Sequence, residues 1–496
     1  TIYDLTDWYE PTRVSYTLKG DVAQLMLQNT KSSRTLLIDN NPKKVMAIKR
    51  VGFRNITPSK HNFLVVSHPT LMQPVGAVSN AVKEYAGYRA TSAGGKYDTL
   101  TINILDLYNQ FSFGDKSTLA ITRFADFMMQ DTREKFIFLI GEPADPPQSR
   151  YFPAVFAKDI IPTGGYPASD WAMVMGINNQ PSFVPGVSIG RLRAQSPQHI
   201  LDYLGKVKEH EAAPNALWRK NFLHLGGGKT VGELNAFKSY LSDFKQIADR
   251  GFIGGRFTTI TKKTDEPVEY INVTGQVNQG VGVMTFFGHS AIGVADIDVG
   301  YVSDERLGYK NAGKYPVIFL NGCDAGNIYN GYRTFGTDWL LTPNKGAILF
   351  LAHTYSGYPL PLKGYTDMLY KNAFTDTTLA GKPIGNILIK TIKDFLATNA
   401  GYYEITHAQQ ITLQGDPAIA VFPNAKPDYQ VDKTSLFLTT IDKSQLVAST
   451  DSFRLGVVIS NLGRTYNKPF SLSLKRTLND GSVITFPKIA IQTITC

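Results

Sequence analysis

Pro316-Val-Ile-Phe-Leu-Asn-Gly-Cys-Asp-Ala-Gly326 is an apolar run that breaks into a turn of small residues. The run suits a strand buried on both faces, and the glycines around Cys323 suit a tight turn at its end. Upstream, Val281-Gly-Val-Met-Thr-Phe-Phe287 stops in the same way, in Gly288-His289-Ser290. Runs of this type recur at 63–66, 136–140, 187–192, 221–225 and 346–351. Helical patterns separate several of them. Residues 76–88 and 117–130 read as helices, the second capped by Ser117. Ser196-Pro197 opens another that runs to about 211. Leu234, Phe237, Leu241, Phe244 and Ala248 recur at spacings of three and four, an amphipathic helix. This alternation predicts an α/β fold, a mostly parallel sheet with helices on both faces. In such sheets ligands bind beyond the carboxyl ends of the strands, which is where His289 and Cys323 fall.

The flanks read differently. Residues 1–58 show strand patterns between Gly, Asn and Asp turns and no helical period, which suits the end of an N-terminal β-domain. From 425 to 496 the helical pattern is lost again, and turns at Asn461-Leu-Gly463 and Asn479-Asp-Gly481 separate strand-like runs, an immunoglobulin-like β-sandwich. Between them lie two α/β parts, 59–208 and 209–424, the second carrying His289 and Cys323. A first residue that is Thr rather than Met leads to the expectation of a processed or trimmed piece.

The net charge of +10 is scattered in pairs such as Lys262-Lys263, which reads as a solvated surface and excludes a clustered nucleic-acid face. No apolar run approaches the ~20 residues needed to span a membrane. The two cysteines, Cys323 and Cys496, make no disulfide framework, and no CxxC pair points to zinc.

A thiol at one strand end and an imidazole at another are the material of a nucleophilic site. Backbone N–H groups of Ser290 and Cys323 are the natural oxyanion donors. The bland reading of a lone cysteine, a small buried hydrophobe, stands beside this one; placement in a turn rather than within the strand favours chemistry. Gly226-Gly-Gly-Lys-Thr230 fails the spacing of a phosphate loop, since the earlier position that needs glycine is Leu223. His68, His224 and His353 fall near strand ends, whereas His61, His199, His210 and His407 read as surface residues. Asp159 and Asp170 lie in the loop before the 187–192 strand and read equally as turn caps or as site carboxylates. Asp296 and Asp298 are two acids, which is short of a cation site.

Taken together, 63–68, Ser169-Asp170, Val187-Ser-Ile-Gly-Arg191, Glu209-His-Glu211, Trp218, Phe287-Gly-His289, the Cys323 segment, 345–350 and Gly415-Asp-Pro-Ala418 resemble the gingipain-type cysteine peptidases of family C25, whose fold is caspase-like. The likeness spans roughly 58–424 and is nearest to the sortase-like members attached to the type IX secretion system of Bacteroidetes. The resemblance implies a cysteine endopeptidase or transpeptidase with Cys323 as nucleophile and His289 as general acid/base. It implies Asp159 as the acidic partner of the histidine, and Asp170 at the floor of a P1 pocket for a basic residue. His353 and Tyr355, within 351–357, would line that pocket. It also implies a secreted or cell-surface protein acting on the C-terminal sorting domains of secreted proteins, with an outer-membrane β-barrel as partner. No cofactor is required, and structural calcium is compatible. The family usually has glycine where Ser290 stands, and the surroundings of Cys323 differ from the family's. The alternative from another class is a non-catalytic caspase-fold component of an outer-membrane assembly.

Overall fold

Ten strands form one sheet: β1 (Phe63–Ser67), β2 (Thr99–Asn103), β3 (Phe136–Ile140), β4 (Ser188–Leu192), β5 (Asn221–Gly226), β6 (Arg256–Thr261), β7 (Val283–Phe287), β8 (Val317–Asn321), β9 (Leu349–His353) and β10 (Ile411–Gln414). Their spatial order is β6-β5-β7-β8-β9-β10-β4-β3-β1-β2. The molecule is a computed structural model that describes residues 1–7, 10–28, 31–41, 50–442, 444–447, 450, 452–466 and 468–492. Cys496 lies outside the described residues.

β1 through β4 pair in parallel, as do β5 through β9, and β10 runs antiparallel to β9. β10 meets β4 through one pair, Gln414 with Arg191. β1, β3, β4, β7, β8, β9 and β10 are buried along their whole length, the reason β1, β3, β7, β8 and β9 are predominantly apolar runs; β4 and β10 bury polar residues as well, Ser188 and Arg191 in the first and Thr412 and Gln414 in the second. Helices cover both faces. The predicted ones form as α1 (Ala81–Ala90), α3 (Thr118–Met128), α4 (Pro197–Ala212) and α5 (Val231–Arg250). Further helices are α2 (Ile104–Phe111), α6 (Pro359–Phe374), α7 (Ile384–Thr398) and α8 (Tyr402–Gln410). A boundary at 208/209 would cut through α4.

In each half the chain steps outward to an edge strand and then back past its starting strand. The order therefore reverses between β1 and β3 and again between β5 and β7. The turns after the strands of the two halves meet on one edge of the sheet. Asp145 N–H donates to Tyr329 C=O at 2.7 Å, and Arg193 Nη1 donates to Tyr332 C=O at 2.6 Å.

On the other edge, Asp416 clamps the halves together. Its carboxylate, fully buried, takes Arg89 Nε at 2.6 Å and Tyr85 O–H at 2.5 Å, both from α1, and its own N–H donates to Tyr203 of α4. Arg89 also holds Glu211 at 2.6 Å.

The described residues of the N-terminal segment form short strands, with Ile2–Asp4 flanked by Thr12–Arg13 and Leu36–Ile38, and a Tyr16–Lys19/Val22–Leu25 hairpin. Beyond 424 the described residues form four antiparallel strand pairs. No helix among the described residues is long and apolar enough to cross a membrane.

Candidate active site

β7 and β8 lie side by side with Phe287 opposite Asn321, so His289 and Cys323, each two residues further on, leave adjacent strands in register. The ladder continues one step, Gly288 N–H donating to Asn321 C=O at 3.1 Å. Ser290 Oγ then donates to Cys323 C=O at 2.6 Å, which ties the two turns together. That closeness requires glycine at 322. A Cβ there would sit 2.2 Å from Ser290 Oγ and 2.9 Å from Gly288 O.

The Cys323 turn is fastened on its other side to the segment after β9. Asp324, at φ +57°, donates its N–H to Tyr355 C=O at 3.1 Å, and Gly326 N–H donates to His353 C=O at 2.8 Å. Cys323 is partly exposed, and its Sγ accepts the Gly357 N–H at 3.3 Å.

His289 is held at two places. Its C=O accepts Asp296 N–H at 2.9 Å, and its Nε2 lies 3.1 Å from Glu233 Oε2. Glu233 sits in the first turn of α5, where Thr230 Oγ1 caps the Glu233 N–H at 3.2 Å and Glu233 Oε2 reaches back to Lys229 N–H at 2.8 Å. This is close to a capping box. Partial burial pushes the Glu233 carboxyl up, but the Lys229 amide, the His289 hydrogen bond and the charges of His289 and Lys229 outweigh it and hold it below the usual range.

The Gly226–Gly228 turn serves the same corner. Asp296 takes Gly228 N–H at 2.7 Å, and a Cβ on Gly227 or Gly288 would come within 2.0 or 2.5 Å of the Asp296 carboxylate. The turn is a cradle for a carboxylate that supports His289, not a phosphate loop.

Two backbone donors of these turns are left without a backbone acceptor among the described residues. His289 and Asp296 are the bonded pair of the Ser290–Ala295 hairpin, so Ser290 and Ala295 are the non-bonded pair and Ser290 N–H points out of the ribbon. Cys323 N–H has no acceptor among the described residues.

The other expected site residues lie elsewhere or are already engaged. Asp159 is not the acid on His289; Glu233 is. Asp159 lines a separate cavity of about 450 Å³ with Lys116, Ser149, Phe156 and Gly164. It accepts Ala144 N–H at 3.0 Å and faces Lys116 Nζ at 3.8 Å, and burial pushes its carboxyl up. Asp170 is not the open floor of a basic pocket. It is 4% exposed and chelated by Arg191, with Nε and Nη2 each at 2.7 Å and Thr163 Oγ1 at 2.9 Å. His353 is fully buried against Tyr365 and His407, and burial holds it neutral, well below the ordinary histidine range. It lines no open pocket. Tyr355 is exposed, its ring centroid 6.3 Å from that of Tyr166.

His210 and His407, expected on the surface, are also buried, as is His224. Asp298 accepts Gly300 N–H at 2.6 Å, and among the described residues no three His, Cys, Asp or Glu side chains gather as metal ligands. The sequence reading missed Glu233. Its signal was Thr230-Val-Gly-Glu233, a capping-box spacing directly after a strand end.

The model of peptidase family C25 matches residues 56–422. Among solved structures, the chain is similar to the complex of the Porphyromonas gingivalis RgpB pro- and mature domains, at 12% identity over 87% of this chain and 93% of that one, TM-score 0.57. It is similar to the Arg-specific cysteine proteinase gingipain R at 13% identity over 89% and 93%, TM-score 0.57. At these identities the likeness is one of fold. No curated protein matches the chain.

Proposed function

We propose that this chain, which belongs to peptidase family C25, is a cysteine peptidase whose nucleophile is Cys323 and whose general acid/base is His289. The observation that carries this reading is the in-register exit of the two residues from adjacent parallel strands, with Ser290 Oγ bonded to Cys323 C=O at 2.6 Å. Cys323 Sγ attacks the scissile carbonyl, its proton passing to His289. The carbonyl oxygen becomes an oxyanion that the Ser290 and Cys323 N–H groups receive. Collapse breaks the C–N bond, the amine leaves with the proton from His289, and an acyl-enzyme remains. Water then yields a free carboxylate, and an amine yields a new peptide bond. Transpeptidation, a sortase-like role on the C-terminal sorting domains of secreted proteins, a cell-surface location and an outer-membrane β-barrel partner are further proposals that rest on the resemblance of the motifs.

With Asp170 neutralised by Arg191, the carboxylate expected to select a basic P1 side chain has both oxygens occupied. Activity-based labelling with acyloxymethyl ketones tests both claims. Probes with an apolar P1 residue are expected to label at least as fast as those with Arg, and Cys323→Ala is expected to abolish labelling. Unchanged labelling of Cys323→Ala would sink the peptidase reading. Equal inertness of the parent toward every probe would favour the non-catalytic alternative, in keeping with a thiol that rests on Gly357 N–H rather than on the imidazole. A strong preference for Arg would show that Arg191 yields Asp170 to substrate.

A further inference from the structure

We infer that a small free oxyanion, phosphate or sulfate, binds between Arg89 and Arg219 at the edge of the sheet opposite Cys323, a site independent of the peptidase reading. The two residues line one cavity of about 290 Å³ together with His210, Glu211, Asn215 and Asn424. Three stretches of chain build it: the end of α1 with the Ser92–Gly95 turn that leads to β2, the end of α4 with the Leu217–Lys220 turn that leads to β5, and the segment after β10.

Arg219 is a buried cation without a counter-charge. It is 3% exposed, and its Nη2 donates to His210 C=O at 2.7 Å and to Ala213 C=O at 3.2 Å. Its Nε has no acceptor among the described residues. Burial pushes the guanidinium down to about 10, and no carboxylate acts on it in the other direction. Trp218 lies 4.8 Å from it, ring centroid to Cζ, which eases the burial of charge but supplies no acceptor for the Nε–H. Leaving such a charge unmatched is costly, and an anion in the cavity supplies both the charge and the acceptor.

Arg89 offers the second donor. Its Nε and Nη1 are taken by Asp416 and Glu211, and its Nη2 has no acceptor among the described residues. Glu211 does not serve Arg219, since its Oε1 takes Arg89 and its Oε2 takes Tyr88 O–H at 2.8 Å. The charges of Arg219 and Arg89 both act on His210, which burial first and those charges second push down to about 3. The two guanidinium groups thus flank one neutral ring. The cavity lies just under the ~300–1,000 Å³ of pockets for organic ligands, which favours an ion. Each guanidinium has one free N–H, not a fork, and each belongs to a different element. A planar carboxylate is met best by a single fork, whereas a tetrahedral ion has oxygens to give in two directions.

Two measurements on the full chain test the assignment. Calorimetric titration with sodium phosphate in chloride buffer is expected to show one saturable site. Arg219→Gln is expected to weaken it about tenfold or more, the loss of one charged hydrogen-bond donor. No saturable heat, or equal affinity in parent and variant, would overturn the inference. Acetate binding more tightly than phosphate would assign the cavity to a carboxylate instead and overturn it as well. Crystals of the parent soaked in selenate give a second reading that stands even if Arg219→Gln does not fold. The anomalous peak is expected within hydrogen-bond distance of Arg89 Nη2 and Arg219 Nε. A peak only elsewhere would sink the proposal, and so would a peak at this place with no binding in solution, an adventitious ion only.

Discussion

Alanine at Asp416 is expected to remove about 3–5 kcal/mol of folding stability, the cost of leaving a buried ionic partner alone. Arg89 is 1% exposed, and its Nε reaches Asp416 at 2.6 Å. Without that carboxylate the guanidinium keeps Glu211, which is pulled between burial and two hydrogen-bond donors. Tyr85 loses its acceptor, and the Ala418 N–H, 2.7 Å from Asp416 Oδ1, is orphaned as well. Against a total stability of about 5–15 kcal/mol this is a large share. The effect should reach the active site, because the contacts cross between the halves of the sheet, from α1 and α4 to the turn after β10. Those halves meet again at Asp145–Tyr329, on the edge where Cys323 lies. Urea unfolding of Asp416→Ala and of Asp416→Asn measures the cost. The asparagine variant keeps an acceptor for Tyr85 and should fall between parent and alanine. A midpoint for Asp416→Ala equal to that of the parent would show that the network is carried by Glu211 instead.

The legible parts of the sequence were those whose physics is local. A strand buried on both faces must be an apolar run, so 63–67, 136–140, 283–287, 317–321 and 349–353 announce themselves. Amphipathic α5 does so through its period. The ends of those runs placed His289 and Cys323 correctly in the fold, because a turn follows each run whatever its neighbours are. Carboxylates were not legible, because their role is set by a partner distant in sequence. Asp170 takes Arg191 and Asp159 faces Lys116, and neither pairing shows in the spacing. Glu233 lies just ahead of the helical pattern that begins at Leu234, and only the order of strands brings that helix to His289. β10 is four residues long and was missed, and with it the place where Asp416 enters the core. His210 and His407 lie on α4 and α8 at positions that read as polar; tertiary packing, not helical period, buries them.

Those buried histidines carry the other large expected effect, a steep loss of stability on mild acidification. Burial drives both His210 and His224 down to about 3 from an ordinary 6.5. His353 moves the same way for the same reason. In the unfolded chain each takes up a proton as pH falls through 6.5, whereas the folded protein refuses it until about pH 3. The unfolded state therefore binds more protons throughout that window, and stability falls with pH there. The contribution is whole above pH 6.5. At pH 5, 1.5 units lower, each histidine has cost ~2 kcal/mol at 1.36 kcal/mol per unit, so His210 and His224 together cost ~4 kcal/mol. Urea midpoints at pH 7.5 and 5.0 measure the drop, and His224→Phe assigns it. That histidine sits among Phe222, Phe257 and Tyr370, a setting that accepts another ring. Its side-chain hydrogen-bond partner, Tyr370 O–H, keeps Thr285 Oγ1 at 2.6 Å. The variant should lose ~2 kcal/mol less than the parent between the two pH values, with the carboxylate background common to both cancelling in the comparison. An identical pH dependence in parent and His224→Phe would show that His224 accepts its proton in the folded state at ordinary pH, and that burial at β5 is looser than the packing around it requires.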